Sequence, residues 1–329
     1  MKFLSLKPQY LLLILLFSST GGYAQSGVIV DNTGIDKITA EYQQVFAQGH
    51  HNKAGKIAFE KMMSKWELPE GVVVRDADAG GVAGKWISPA EPSFVKREVI
   101  LYLHGGGFYR GSSKTHQALA ATLARQANAD VLLIDYRLLP QYGYPSQIDD
   151  ARASYEWLLK QGYKASNIAL AGDSVGGTLV LELALHLRDA GRPMPSALVV
   201  MSPVTDLTAS SESMKTNATR DPILNRSELL RVAHAYLKGS DPRDPAASPL
   251  FADLHGLPPM LLQVGDGEIL LDDTLRIAQA ATRDDVQVSV EVWPGMIHQW
   301  QLFPAAIPNA SRALTNSGQF IRDHVGKGR

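Results

Sequence analysis

Apolar residues along this chain gather into short continuous runs separated by longer stretches of helical period. The runs are Val72 to Asp76, Val82 to Ile87, Val99 to Leu103, Val131 to Asp135, Ile168 to Gly172, Leu198 to Met201, Met260 to Gly265 and Val286 to Trp293. The middle ones are β-branched and lack polar alternation, as strands buried on both faces of a parallel sheet require. Between them, Thr115 to Ala127, Ser146 to Gln161, Gly177 to Ala190 and Asp272 to Arg283 read as helices. The third carries Leu179, Leu183 and Leu187 and stops at Gly191 with Pro193 beyond, a normal helix exit. Strands alternating with helices of this length predict right-handed βαβ crossovers and an α/β sandwich with a mostly parallel, eight-stranded sheet.

Two further helical patterns precede the first strand. Ile38, Tyr42, Val45 and Phe46 make one apolar face between Asp36 and Gln48; Ile57, Phe59, Met62, Met63 and Trp66 make another between Ala54 and Trp66. Between Ser202 and Pro258 the alternation lapses into a stretch rich in Thr, Ser, Asp and Pro, with a helix around Ser227 to Lys238. An insertion there, at about residues 204–240, is a natural lid. At the other end Lys2 and Lys7 precede Leu11 to Phe17, and the small residues Gly22 and Ala24 stand before Gln25. That order predicts a secretory signal over residues 1–24, with export to the periplasm or medium. The apolar run is shorter than the ~20 residues of a spanning helix, so no stable membrane anchor is expected.

Composition narrows the chemistry. With 32 basic and 33 acidic residues among 329, the chain has no electrostatic footprint for nucleic acid. Cysteine is absent, which removes thiol catalysis, thiolate metal sites and disulfides together. Any nucleophile is therefore an oxygen or a nitrogen.

Gly172-Asp173-Ser174-Val175-Gly176-Gly177 follows the run from Ile168 and opens the next helix, which is Gly-x-Ser-x-Gly in strand-turn-helix context. So tight a turn needs small residues two before and two after the serine, and it lifts the hydroxyl clear of the sheet at a helix N-terminus. The bland alternative is a glycine-rich turn. His104-Gly105-Gly106-Gly107-Phe108 follows the run from Val99, where a glycine triplet lets backbone N–H groups face a pocket as an oxyanion hole does. No Gly-x-Gly-x-x-Gly can be read through it, because the sixth position is Arg110, so dinucleotide binding is not expected.

Of nine histidines, His50 and His51 fall in the first interhelical turn, His116 at a helix start, His186 and His234 in helices, and His255 and His324 in polar sequence. His298 alone follows the last strand, in the order Ser, acid, His. No His-Glu-x-x-His supports a zinc site. The acid must follow the strand Met260 to Gly265. Asp266 and Glu268 lie in the loop itself, while Asp272 and Asp273 have the simpler explanation of charging the first turn of the next helix. Spacing does not separate Asp266 from Glu268.

Taken together, His104 to Gly107, Asp135-Tyr136-Arg137-Leu138-Leu139-Pro140, Gly172 to Gly177, Ser202-Pro203 and Trp293 to His298 resemble the hormone-sensitive-lipase-like family of α/β-hydrolase esterases. The resemblance implies an α/β-hydrolase fold over one domain, residues 25–329, with residues 36–66 as an N-terminal cap. It implies Ser174 as nucleophile, His298 as base, and the N–H groups of Gly106, Gly107 and Val175 as oxyanion donors. The family's usual Asp-Pro-Leu-x-Asp acid segment is replaced by Gly267-Glu268-Ile269-Leu270-Leu271-Asp272, whose register favours Glu268 over Asp266. The expected activity is hydrolysis of small or medium acyl esters, with no metal or organic cofactor. Lactone or amide hydrolysis by the same residues, or a non-catalytic binding role, are the alternatives. Phe108, Tyr109, Trp293, Trp300 and Phe303 are candidates for an apolar pocket or for core.

Overall fold

The computed structural model describes residues 32–49, 52–90 and 98–326; the signal-like segment lies outside them. The strands are β1 Val72–Asp78, β2 Ala83–Pro89, β3 Val99–Leu103, β4 Asp130–Ile134, β5 Ile168–Asp173, β6 Ala197–Met201, β7 Met260–Gly265 and β8 Val288–Trp293. The helices are α1 Ile35–Ala47, α2 Lys53–Met63, α3 Gln117–Ala127, α4 Ser146–Lys160, α5 Val175–Asp189, α6 Ser213–Thr216, α7 Arg226–Leu237, α8 Leu271–Arg283 and α9 Pro308–His324.

All eight strands join one sheet in the order β1-β2-β4-β3-β5-β6-β7-β8. β2 runs antiparallel to β1 and to β4, and every other pairing is parallel. From β3 the chain moves outward to β4 and then returns across β3 to β5, so the loops after β3 and β5 leave side by side in opposite directions. That reversal opens a crevice at the carboxyl ends of the strands, the place where open α/β sheets bind ligands.

Side-chain alternation in the central strands builds two cores. Leu101, Leu103, Leu170, Leu198 and Val200 face α4, α5 and α8 through Tyr155, Leu179, Leu183 and Ile277. Ile100, Tyr102, Leu133, Ala169 and Val199 face the other way, toward α3 and α9. Truncating one of these central leucines to alanine costs about 2–5 kcal/mol in a core that cannot collapse.

The apolar pattern does not predict α9. Its buried face is Ala310, Ala313, Leu314, Ser317, Gly318 and Ile321, mostly small residues that carry little hydrophobic signal. They are small because α9 lies close against α3: a Cβ on Gly318 would overlap the backbone of Gln126. His324 is the last residue of that helix.

Candidate active site

Ser174 stands between β5 and α5 with φ 53° and ψ −126°, a conformation that L-residues rarely adopt. Its neighbours explain why the turn is closed by glycines. A Cβ on Gly176 would overlap the Leu103 carbonyl, and one on Gly172 would overlap the Gly176 carbonyl. Ser174 N–H donates to the Met201 carbonyl at 2.8 Å, which locks the turn to the end of β6.

His298 lies in the loop after β8, with Nε2 2.9 Å from Ser174 Oγ. Its Nδ1 is 2.8 Å from Glu268 Oε2. The other oxygen of Glu268 accepts the Gly265 N–H at 2.6 Å and the Ser202 hydroxyl at 2.8 Å. All three members of this line are buried. With one carboxylate oxygen held by two donors, the second is aimed at the imidazole, which fixes the tautomer that leaves Nε2 free to accept a proton from serine.

The rival acids are occupied elsewhere. Asp266 accepts the Gly295 N–H at 2.8 Å and pairs with Arg220 at 2.9 Å near the surface. Asp272 and Asp273 lie in the first turn of α8 but bond across to the insertion. Asp272 accepts the Ser213 N–H at 2.7 Å, and Asp273 accepts the N–H groups of Thr205 and Asp206 at 2.9 and 3.1 Å. Burial, opposed only in part by these donors, pushes the Asp273 carboxyl up to about 6.

Gly106, Gly107 and Val175 line one cavity with Ser174 and His298. Gly106 and Gly107 have φ of 120° and 63°, open to glycine and costly for other residues. The Val175 N–H belongs to the first turn of α5, where it has no acceptor within the helix. Gly105 points the other way: its N–H donates to Asp173 Oδ1 at 3.1 Å.

Asp173 is a buried residue of the site that the motif alone does not single out. Its buried carboxylate also accepts the Tyr102 hydroxyl at 2.8 Å and the Gln299 side-chain amide, and lies 3.4 Å from His116 Nε2. One anion thus joins the nucleophile turn, the oxyanion loop and the residue after His298. Burial raises its pKa, but His116 and the hydrogen bonds outweigh that and hold it down to about 2. His104, stacked on Tyr136 with ring centroids 4.2 Å apart, is pushed down to about 4 by burial and by His116. It packs behind the loop as a neutral ring.

The cavity, about 50 Å³, is walled by aliphatic residues of the insertion: Val204, Leu207, Ile223, Leu224, Leu229 and Val232. Of the aromatic candidates, Phe108, Trp300 and Phe303 are core, and Tyr109 and Trp293 pack half-buried against it. Phe108 stacks on Tyr236 at 3.9 Å, Trp300 lies 6.2 Å from the Trp293 ring, and Phe303 meets Tyr42 of α1 edge-on at 5.8 Å. The N-terminal helices reach the cavity through Arg110, whose guanidinium sits 4.9 Å from the Phe46 ring centre and 5.4 Å from that of Phe59. Among the described residues, Asp253, His255 and Asp284 have ligand-like spacing for a metal, but they lie at the amino ends of the strands, away from Ser174.

The α/β hydrolase fold family matches residues 100–302. An acetyl-hydrolase of Streptomyces hygroscopicus is 40% identical over 79% of this chain and 85% of its own length. An esterase of Acinetobacter venetianus is 41% identical over 76% and 82%. The crystal structure of an esterase from the bacterial hormone-sensitive lipase family superposes with a TM-score of 0.85 at 38% identity, covering 89% of this chain and 98% of that one. The chain belongs to the hormone-sensitive-lipase-like family of α/β-hydrolase carboxylesterases. Within this esterase, the sheet reversal between β3 and β5 supplies the crevice, and four loops at the carboxyl ends of β3, β5, β7 and β8 supply the groups that fill it.

Proposed function

We propose that this carboxylesterase cleaves short-chain esters through an acyl-enzyme on Ser174. His298 Nε2 takes the hydroxyl proton as Ser174 Oγ attacks the ester carbonyl, and the carbonyl oxygen becomes an oxyanion facing the N–H groups of Gly106, Gly107 and Val175. Collapse of the tetrahedral adduct breaks the bond to the alcohol oxygen, which takes the proton from His298. Water then repeats the sequence, giving its proton to His298 and releasing the acid and the free serine. Glu268 orients the imidazole and stabilises the imidazolium without accepting the proton.

The observation that carries this reading is the buried hydrogen-bonded line from Ser174 through His298 to Glu268. The aliphatic side chains that wall the cavity support a small apolar acyl group, and the acetyl-hydrolase among the relatives points the same way. A fluorophosphonate probe is expected to label Ser174, and Ser174→Ala to abolish both labelling and cleavage of 4-nitrophenyl acetate. A wild-type protein that neither labels nor cleaves would overturn the proposal.

The reading extends to the cell. Residues 1–24 are taken as a removable export signal, on the charge and apolar order given above. Among the described residues no helix is long and apolar enough to cross a membrane. Sequencing the protein from a cell-envelope fraction should find Gln25 first; Met1 there would refute removal. The remainder is taken as one hydrolase unit with two covers, α1–α2 and the insertion at 204–240.

A further inference from the structure

Asp221 is a buried carboxylate that the mechanism above leaves without a task. It lies in the insertion, just after α6, and it is 8% exposed. Its Oδ1 accepts the N–H groups of Ile223 and Leu224, both at 2.9 Å, which folds the next residues into a turn. Both of those residues line the cavity. Its Oδ2 accepts the Ile269 N–H at 2.9 Å, one residue beyond Glu268. The same carboxylate therefore holds a pocket wall with one oxygen and the acid loop with the other.

Neighbouring contacts strengthen the grip. Asn217 donates to the Glu268 carbonyl at 2.8 Å, and the Ser213 hydroxyl donates to the Ile269 carbonyl at 2.6 Å. These two are neutral, whereas Asp221 brings a charge. Burial and the Glu268 carboxylate push its pKa up while His298 pulls it down. Around His298 the other charges are Glu268 on Nδ1, Asp173 below the nucleophile with its own partners, Arg110 and Glu228 lining the cavity, and the half-exposed Arg220–Asp266 pair outside.

We infer that Asp221 is a positioning residue for ester hydrolysis, which couples the acyl-side wall at Ile223–Leu224 to the Glu268 loop and adds a second anion behind the His298 imidazolium. The inference rests on the triad reading. Asparagine at this position keeps an oxygen for the Ile223–Leu224 turn but removes the charge and sets an N–H₂ against the Ile269 N–H. Glutamate keeps the charge and alters the reach.

The test compares Asp221→Asn and Asp221→Glu with wild type, each titrated for active sites with a fluorophosphonate, by kcat/KM against pH on 4-nitrophenyl acetate and butyrate. Asp221→Asn should lower the midpoint of the acid limb by about half a pH unit, because an imidazolium that loses a neighbouring anion gives up its proton more readily. It should also change the butyrate-to-acetate ratio by about threefold or more, the scale of a small shift in pocket fit. Asp221→Glu should change the ratio while leaving the limb in place. An Asp221→Asn enzyme that changes neither quantity, or only one, overturns the inference. Should Asp221→Asn fail to fold, an unchanged ratio in Asp221→Glu overturns it as well, and a changed ratio with an unmoved limb supports it. Labelling at a residue other than Ser174 would instead remove the triad reading, which the titration detects before any variant is compared.

Discussion

The Asp173 carboxylate receives the Gly105 backbone N–H at 3.1 Å, so the residue directly before the nucleophile also sets the loop that faces it. Asp173→Asn tests how much that arrangement matters. An amide has one oxygen for donors that now share two, and at least one buried donor loses its partner, at a cost of about 1–3 kcal/mol. With the oxyanion loop released, kcat should fall about tenfold or more, by the sensitivity of such donors to position. Urea unfolding and steady-state kinetics on the same preparation read both effects.

The same carboxylate makes stability depend on pH. Its folded pKa of about 2 lies below the ordinary 3.8, so its contribution is complete above about pH 4 and disappears as pH falls toward 2. The urea midpoint of wild type should drop across that window, and the drop should be shallower in Asp173→Asn. Equal slopes in the two proteins would show that other carboxylates dominate.

Glu268 and Asp266 separate cleanly by substitution. Glu268→Gln keeps the shape but offers His298 an amide, and by analogy with other triads kcat should fall by about a thousandfold or more. Asp266→Asn leaves the imidazole partner intact and should cost less than about tenfold, because its salt bridge is solvent-exposed. Circular dichroism and urea unfolding of both variants distinguish lost chemistry from lost folding.

Val232 lines the cavity beside the oxyanion loop; a Cβ on Gly107 would lie 3.7 Å from its Cγ2. Val232→Ala should shift preference toward longer acyl chains, raising the hexanoate-to-acetate ratio of kcat/KM by about tenfold for the methyl groups removed. An unchanged ratio would mean that the acyl chain runs along another wall.

The sequence makes the central fold legible because β3, β5 and β7 are continuous apolar runs, and the structure gives β3 and β7 the same limits. Ser174 and His298 were legible for a different reason: each sits in a short motif whose backbone geometry constrains its neighbours. Glu268 needed register as well as composition, since Asp266 has the same chemistry two residues away. Asp173, Gln299 and Asp221 act through contacts that join distant segments, 126 residues apart for Gln299 and Asp173, which no local pattern records. The aromatic residues near the motifs stayed open between pocket and core, because sequence does not show which side chains they meet. Phe303 and Trp300 are core, with Phe303 edge-on to Tyr42 and Trp66.

The close fit of α9 against α3 bears on how this chain is made. α9 ends at His324, and it covers a sheet face whose other helix, α3, was complete some 180 residues earlier. A chain still growing on the ribosome leaves Ala169, Ala171 and Val199 without that cover until α9 has emerged, so this layer closes only once α9 is made. Closure of that face therefore waits on a helix far along the chain from the strands it covers.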